Sequence, residues 1–228
     1  MRTAVILIGA SGGIGQELCK NLLAEGCQVL AISRTNPGIV AAVNYKWLEL
    51  DITLAGAGDA ILKEVSFFEG AELRVLIHNA GYLNRNSFAS MSDEELERMA
   101  AVNYRAPFQI TRSLITWLQE AVIAHTIYIG SMSGYQGSRK YAGLTGYSAS
   151  KAAGSALMEC LAAEYAGSNM YFNVLSLGAV QTPMLEKAFP GQKGADSGQI
   201  SSYIAGFSLG GWRVFNGKVL PVTQGDPL

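Results

Sequence analysis

The sequence predicts a doubly wound α/β Rossmann-type domain. One parallel sheet of about seven strands would carry helices on both faces, in a single domain over residues 1–228. Three observations predict it. Short apolar runs alternate with longer helical patterns from end to end. The runs lack the every-second-residue polarity of a half-solvated strand, which is how strands covered on both faces read. A glycine-rich turn follows the first run at once and opens the first helical pattern.

The first run, residues 4–8, is too short to span a membrane and ends in glycine, so it is read as a buried strand and not as an anchor. Further strands are expected at 28–33, 46–50, 73–78, 126–130 and 171–176, with a last one near 218–222. Helices are expected near 13–25, 54–68, 92–119 and 147–165. Strand–helix–strand order calls for right-handed crossovers. No Pro/Gly/Ser-rich linker divides the chain. The stretch 185–211 differs: it holds Pro190 and six glycines with weak periodicity. It is expected to form a flexible substrate flap with a short helix near 199–207. Residues 223–228 read as a terminal stub.

The composition narrows the function. Apolar residues make up 49% of the chain and charged residues 15%, the balance of a protein with much buried surface or with surface shared in an oligomer. A net charge of −1 favours neither nucleic acid nor an anionic membrane as partner. Three cysteines, Cys19, Cys27 and Cys160, show no metal-ligand spacing. They read as reduced thiols of a cytoplasmic protein, with no metal site expected. Neither His78, in an apolar strand, nor His125, expected just before one, suggests a functional role.

The glycine turn is Gly9-Ala10-Ser11-Gly12-Gly13-Ile14-Gly15. Gly9 permits the tight turn, Gly13 lets backbone approach a pyrophosphate, and Gly15 lets the helix pack on the sheet. Ser11 and Ile14 flank the same phosphate-facing helix start, whose free N–H groups and dipole favour an anion. Its spacing is not that of the common G-x-G-x-x-G fingerprint, so position between strand and helix carries the argument. The second strand ends at Ser33, followed by Arg34. An acidic residue there would accept the ribose 2′-OH of NAD and repel a 2′-phosphate. Ser33 is instead expected to donate to that phosphate and Arg34 to grip it, which selects NADP(H).

Tyr147-Ser148-Ala149-Ser150-Lys151 places a phenol and an ammonium at i and i+4, on one helical face. An adjacent ammonium stabilises phenolate and lowers a tyrosine pKa from about 10, making it a usable acid/base for a ketone oxygen. A lone Y-x-x-x-K is common by chance and would read as an exposed helix pair.

It does not stand alone. The glycine turn, Asn79-Ala80-Gly81, Asn103, Ser131 and the pair Tyr147/Lys151 together resemble the short-chain dehydrogenase/reductase family, in order and nearly in spacing. The resemblance runs over about residues 3–184. It implies that Asn79, Ala80 and Gly81 support the cofactor side of the sheet. It implies that Asp51 contacts adenine, and that Asn103 opens a helix ladder and holds a water linking Lys151 to solvent. It implies that the Val180 backbone and Thr182 hydroxyl hold the nicotinamide carboxamide, with Leu177 standing where the family has proline. Gly12 stands where many NADP-preferring relatives have a basic residue. For the carbonyl-binding serine, Ser131 fits the strand end and Ser133 the loop length. Ser131 is preferred, with Ser133 as the alternative.

The resulting expectation is an NADP(H)-dependent reductase of a small apolar ketone. Ser131 would bind the carbonyl, Tyr147 supply the proton, Lys151 tune Tyr147 and hold the ribose, and Asn103 complete a relay. Leu185, Phe189, Tyr203, Ile204, Phe207 and Trp212 of the flap region suggest the apolar substrate. The absence of Lys and Arg from 119–125 and 167–171 argues against an acidic carrier-borne substrate. A small-residue helix near 149–166 suggests a homodimer or homotetramer. The alternatives are a catalytically silent NADP(H)-binding regulator, whose mark would be loss of the tyrosine or lysine, and alcohol oxidation or epimerisation.

Overall fold

The computed structural model describes residues 2–40, 42–68 and 70–223. Among them, seven strands build one sheet: β1 (Thr3–Ile8), β2 (Gln28–Ser33), β3 (Tyr45–Glu49), β4 (Leu73–His78), β5 (Ile123–Ser131), β6 (Met170–Leu177) and β7 (Lys218–Val222). All pairings are parallel, in the order β3-β2-β1-β4-β5-β6-β7. The expected doubly wound single domain is therefore present, its last strand included. The order reverses between β1 and β4. At such a switch point the two crossovers leave on opposite faces and a crevice opens above the strand ends.

Among the described residues seven α-helices accompany these strands: α1 (Ile14–Ala24), α2 (Ala57–Leu62), α3 (Asp93–Ala100), α4 (Ala106–Gln119), α5 (Thr145–Glu164), α6 (Pro183–Ala188) and α7 (Ser197–Gly210). Side chains alternate across a strand, so each buried strand feeds two cores. Ala4, Ile6 and Ile8 of β1 join Leu30 and Ile32 against Ile110 and Leu114 of α4 and Met158 of α5. Val5 and Leu7 join Val29 and Ala31 against Leu18 and Leu22 of α1 and Ile204 and Phe207 of α7. Leu18 and Leu22 are one helical turn apart and fully buried. Burial of each is worth about 1.5–3 kcal/mol.

The helix expected at 92–119 is α3 and α4 joined by a π turn at Ala101–Arg105. Ser92 starts it with a capping box: its hydroxyl accepts from the Glu95 N–H while the Glu95 carboxylate accepts from the Ser92 N–H. The helix expected at 54–68 is shorter, because Gly56 lies in the left-handed region at φ 77° and delays the start of α2.

The flap expected over 185–211 divides in two. Residues 197–210 form α7, which packs along α1 with Ile204 and Phe207 in the core. Tyr203 sits half exposed against Phe207, Trp212 packs at a tilt against Tyr171, and neither borders the cleft. Only the part before α7 borders the cleft, through Leu185 and Phe189. Helical periodicity in 197–210 is masked in the sequence because small residues and glycines separate its apolar positions.

His125 lies inside β5 and not before it. Its Nδ1 pairs with the Ser208 carbonyl at 3.0 Å and its Nε2 with the Asn173 amide at 3.1 Å, which ties β5 to α7 and β6. Burial pushes its pKa down to about 4. Cys19 and Cys27 are buried free thiols, each pushed up to about 11 by burial, and Cys160 is exposed. Among the described residues no helix is long and apolar enough to cross a membrane, and no cluster of His, Cys, Asp or Glu suits a metal ion. Residues 224–228 of the expected stub lie outside the described residues.

Candidate active site

A cleft of about 900 Å³ opens at the switch point. It runs from the ends of β2 and β3 across the glycine turn to the loops after β5 and β6. Its floor at one end is backbone. Gly9 has φ 90°, and a Cβ there would lie 2.5 Å from the Ala80 nitrogen. A Cβ on Gly15 would run into the Gly9 carbonyl and reach 2.8 Å from the Asn79 amide. Asn79 locks this packing by donating from Nδ2 to the Gly9 carbonyl at 2.7 Å, and the Asn79 and Ala80 N–H groups donate to Ile8. The segment Asn79-Ala80-Gly81 thus braces the glycine turn. Gly13, at φ 51°, faces Thr182 across the cleft, with a Cβ there 3.1 Å from its methyl group. The α1 N-terminus has no side-chain cap, and Gly9, Ser11, Gly12, Gly13 and Ile14 all line the cleft. Uncapped N–H groups behind glycine leave a cradle for a diphosphate that side chains would fill.

Beyond the end of β2, Arg34 lines the cleft beside Asp51, Ile52 and Thr53. Asp51 accepts from the Thr53 N–H and hydroxyl, which with the charges of Arg34 and Arg98 hold its carboxyl below the usual range. Ser33 departs from expectation. It is buried, its hydroxyl donates to the Thr35 carbonyl at 2.8 Å, and it accepts from the Trp47 indole at 3.1 Å. A hydroxyl has one proton, and in this structure Ser33 directs it to Thr35, while both Ser33 and Arg34 line the cleft. Trp47 looked like an ordinary residue of an apolar run; only strand pairing brings it beside Ser33.

At the other end Ser131 closes β5 and Tyr147 and Lys151 share one turn of α5, all three lining the cleft. The Ser131 hydroxyl is hydrogen-bonded to the Tyr147 phenol and favours its ionised form, but burial outweighs this and raises the Tyr147 pKa. Burial also takes Lys151 down to about 7. Its ammonium donates to the Ile129 carbonyl at 2.8 Å. The lysine-lowered tyrosine expected from the i, i+4 spacing is therefore not the resting state: desolvation of both groups dominates. Ser133 also lines the cleft, but its hydroxyl is hydrogen-bonded to that of Ser148 and not to Tyr147.

Asn103 sits in the π turn, fully buried. Its Oδ1 accepts from the Tyr82 N–H at 2.9 Å, and its Nδ2 donates to the Tyr82 carbonyl at 2.8 Å and to Ser150 at 3.0 Å. It staples the loop after β4 to α5. Its main-chain carbonyl accepts from the Tyr128 hydroxyl at 2.8 Å. After β6, Val180 bridges to Ala195, and Thr182 caps α6 by accepting from the Leu185 N–H while donating to the Val180 carbonyl. Leu177, where proline was anticipated by resemblance, is an ordinary strand residue whose carbonyl accepts from Met132. Leu83, Tyr141, Leu144 and Met184 complete the wall of this end, and the first three carried no signal in sequence.

A model of the short-chain dehydrogenase family matches residues 3–193. The 3-oxoacyl-[acyl-carrier-protein] reductase of Escherichia coli is 28% identical over 184 residues, 78% of this chain and 74% of that protein. The acetoacetyl-CoA reductase of an Acinetobacter strain is 28% identical over 190 residues, 79% of this chain and 75% of that protein. Among solved structures, the 3-ketoacyl-(acyl-carrier-protein) reductase of Brucella melitensis complexed with NADH superposes with a TM-score of 0.85 at 22% identity, covering 100% of this chain and 98% of that one.

Proposed function

The chain belongs to the short-chain dehydrogenase family of oxidoreductases acting on CH–OH groups with a nicotinamide cofactor, and from that premise we propose an NADP(H)-dependent reductase that interconverts a small, largely apolar ketone and its secondary alcohol. One observation carries the proposal: Ser131, Tyr147 and Lys151 converge on the same cleft as the uncapped glycine cradle. The cradle suits the cofactor diphosphate, Arg34 its 2′-phosphate, Asp51 the adenine, and Val180 and Thr182 the nicotinamide end. When bound, the cofactor supplies or accepts hydride.

The protein's own residues handle the oxygen and its proton. Ser131 turns its hydroxyl from Tyr147 to the substrate carbonyl. Tyr147, kept protonated by burial, is ready as the acid and transfers its proton to that oxygen. Lys151, near neutrality in its pKa, exchanges a proton at working pH and stabilises the phenolate that Tyr147 leaves behind. Leu83, Leu144, Met184, Leu185 and Phe189 surround the reacting carbon with apolar surface and exclude water. A 3-oxoacyl thioester is the second substrate reading, favoured by the two reductases above. We also propose a cytoplasmic homodimer or homotetramer, because the outer face of α5 exposes Ala149, Ala152, Ala156 and Ala163.

The test is oxidation of NADPH and of NADH, followed at the nicotinamide absorbance band, against simple ketones and acetoacetyl-CoA. Ketone-dependent NADPH oxidation is the expected result. A protein that binds NADPH but turns over no ketone in the panel would support the silent regulator instead.

A further inference from the structure

In the sequence Tyr128 is one more member of an apolar strand. In the fold it is fully buried on β5, directly across from His78 on β4, beneath the π turn and α5. Its hydroxyl donates to the Asn103 carbonyl at 2.8 Å. Its ring lies under the Lys151 ammonium, 4.9 Å from nitrogen to centroid. That ammonium donates to the carbonyl of Ile129, the next residue along the same strand. On α5, Gly154 clears the space: any Cβ there would strike the Tyr128 ring and hydroxyl and come within 2.8 Å of the Asn103 carbonyl. Strand, π turn and helix therefore meet on a single phenol.

We propose that Tyr128 is the positioning residue for Lys151, its ring face carrying the ammonium and its hydroxyl locking the ring to the Asn103 carbonyl. The proposal rests on Lys151 being part of the active site. An ammonium drawn out of water needs replacement partners. One N–H finds the Ile129 carbonyl, and the negative face of an aromatic ring supplies attraction without a carboxylate. A carboxylate there would hold the lysine charged at all working pH; a ring does not, and the Lys151 pKa of about 7 fits that weaker support. The titratable groups facing the ammonium are Tyr147 on its own helix, Tyr128 on β5 and His78 on β4. His78 stays neutral, pushed to about 3 by burial and by the Lys151 charge, and Tyr128 stays protonated because burial raises its pKa well above the ordinary phenol value. The Asn103 carbonyl thus accepts from a buried protein hydroxyl.

Two shape-conserving replacements separate ring from hydroxyl: Tyr128→Phe, and pentafluorophenylalanine incorporated at position 128. Lys151 is titrated by carbon-13 NMR of its ε-methylene, a readout that needs no turnover, alongside the pH profile of kcat/KM. Tyr128→Phe keeps the ring face and should leave the Lys151 titration in place, while losing the bond to Asn103 should lower the melting temperature by at least about 3 °C. The fluorinated ring, whose face is no longer negative, should lower the Lys151 pKa by about one unit, a tenfold weaker hold on its proton. The corresponding limb of kcat/KM should move with it. Identical Lys151 titrations in the two replacements would overturn the ring's role, and an unchanged melting temperature in Tyr128→Phe that of the hydroxyl. A shifted titration with an unmoved kcat/KM limb would sustain Tyr128 as the support of Lys151 and reject Lys151 as part of the reaction.

Discussion

At one end of the cleft, Gly9, Gly12 and Gly13 lie within five consecutive residues and shape the wall with backbone alone. At the other end, Leu83 and Phe189 face the same space from 106 positions apart (189 − 83), with Tyr141, Leu144 and Met184 between them in sequence. The first wall follows from local sterics: only glycine tolerates φ 90° beside the Ala80 backbone. The second follows from how three loops pack. One wall therefore suits a ligand part that is always the same, and the other suits a part that varies. Tyr147 and Lys151 sit where the two meet.

The comparison is sharpened most by Tyr147→Phe at that junction. It should leave NADPH binding nearly intact and cut kcat by about 10² to 10⁴, because a proton donor is lost and the ring is kept. Calorimetry and turnover on one preparation check this, and full turnover would remove Tyr147 from the mechanism. Next comes the serine pair at the substrate end. Ser131→Ala should lower kcat by about 10²-fold, as loss of a single donor to a reacting oxygen does, whereas Ser133→Ala should change it little, since Ser133 faces Ser148. The reverse ranking would show that loop length, and not the strand end, locates the functional hydroxyl.

At the cofactor end, Arg34→Ala should weaken NADPH about ten- to 150-fold and barely alter NADH, with the difference shrinking at high salt. Equal affinity of the unmodified protein for the two cofactors would break the assignment. The smallest effect belongs to the apolar wall. Phe189→Ala should raise KM for a preferred apolar ketone several-fold, roughly the worth of one or two methylenes of contact, and leave cofactor affinity unchanged. A change in cofactor affinity instead would show that the two ends are not separable.

Some of this was legible residue by residue. The runs at 4–8 and 28–33 read as strands because side chains alternate into two cores, which leaves no polar face. Asn103 was legible as a special helix position only through resemblance; on propensity it reads as a solvated helix residue, and its four buried contacts come from Tyr82, Ser150 and Tyr128, all remote in sequence. In the stretch 185–211 the helix expected at 199–207 is present but longer, as α7, and what the glycines hid is that Ile204 and Phe207 pack it on α1 and so take it out of the flap.

By itself, then, the sequence determined the doubly wound sheet, the glycine cradle and the placing of Tyr147 and Lys151 on one face of a helix. Each is a matter of periodicity or backbone sterics acting over a few neighbouring residues. Only the tertiary structure decided that Ser33 spends its proton on Thr35, that Ser131 and not Ser133 meets Tyr147, and that Lys151 rests near neutrality on the ring of Tyr128. Those outcomes depend on burial and on which partner lies within about 3 Å, and such partners are supplied by strands and helices that only folding brings together.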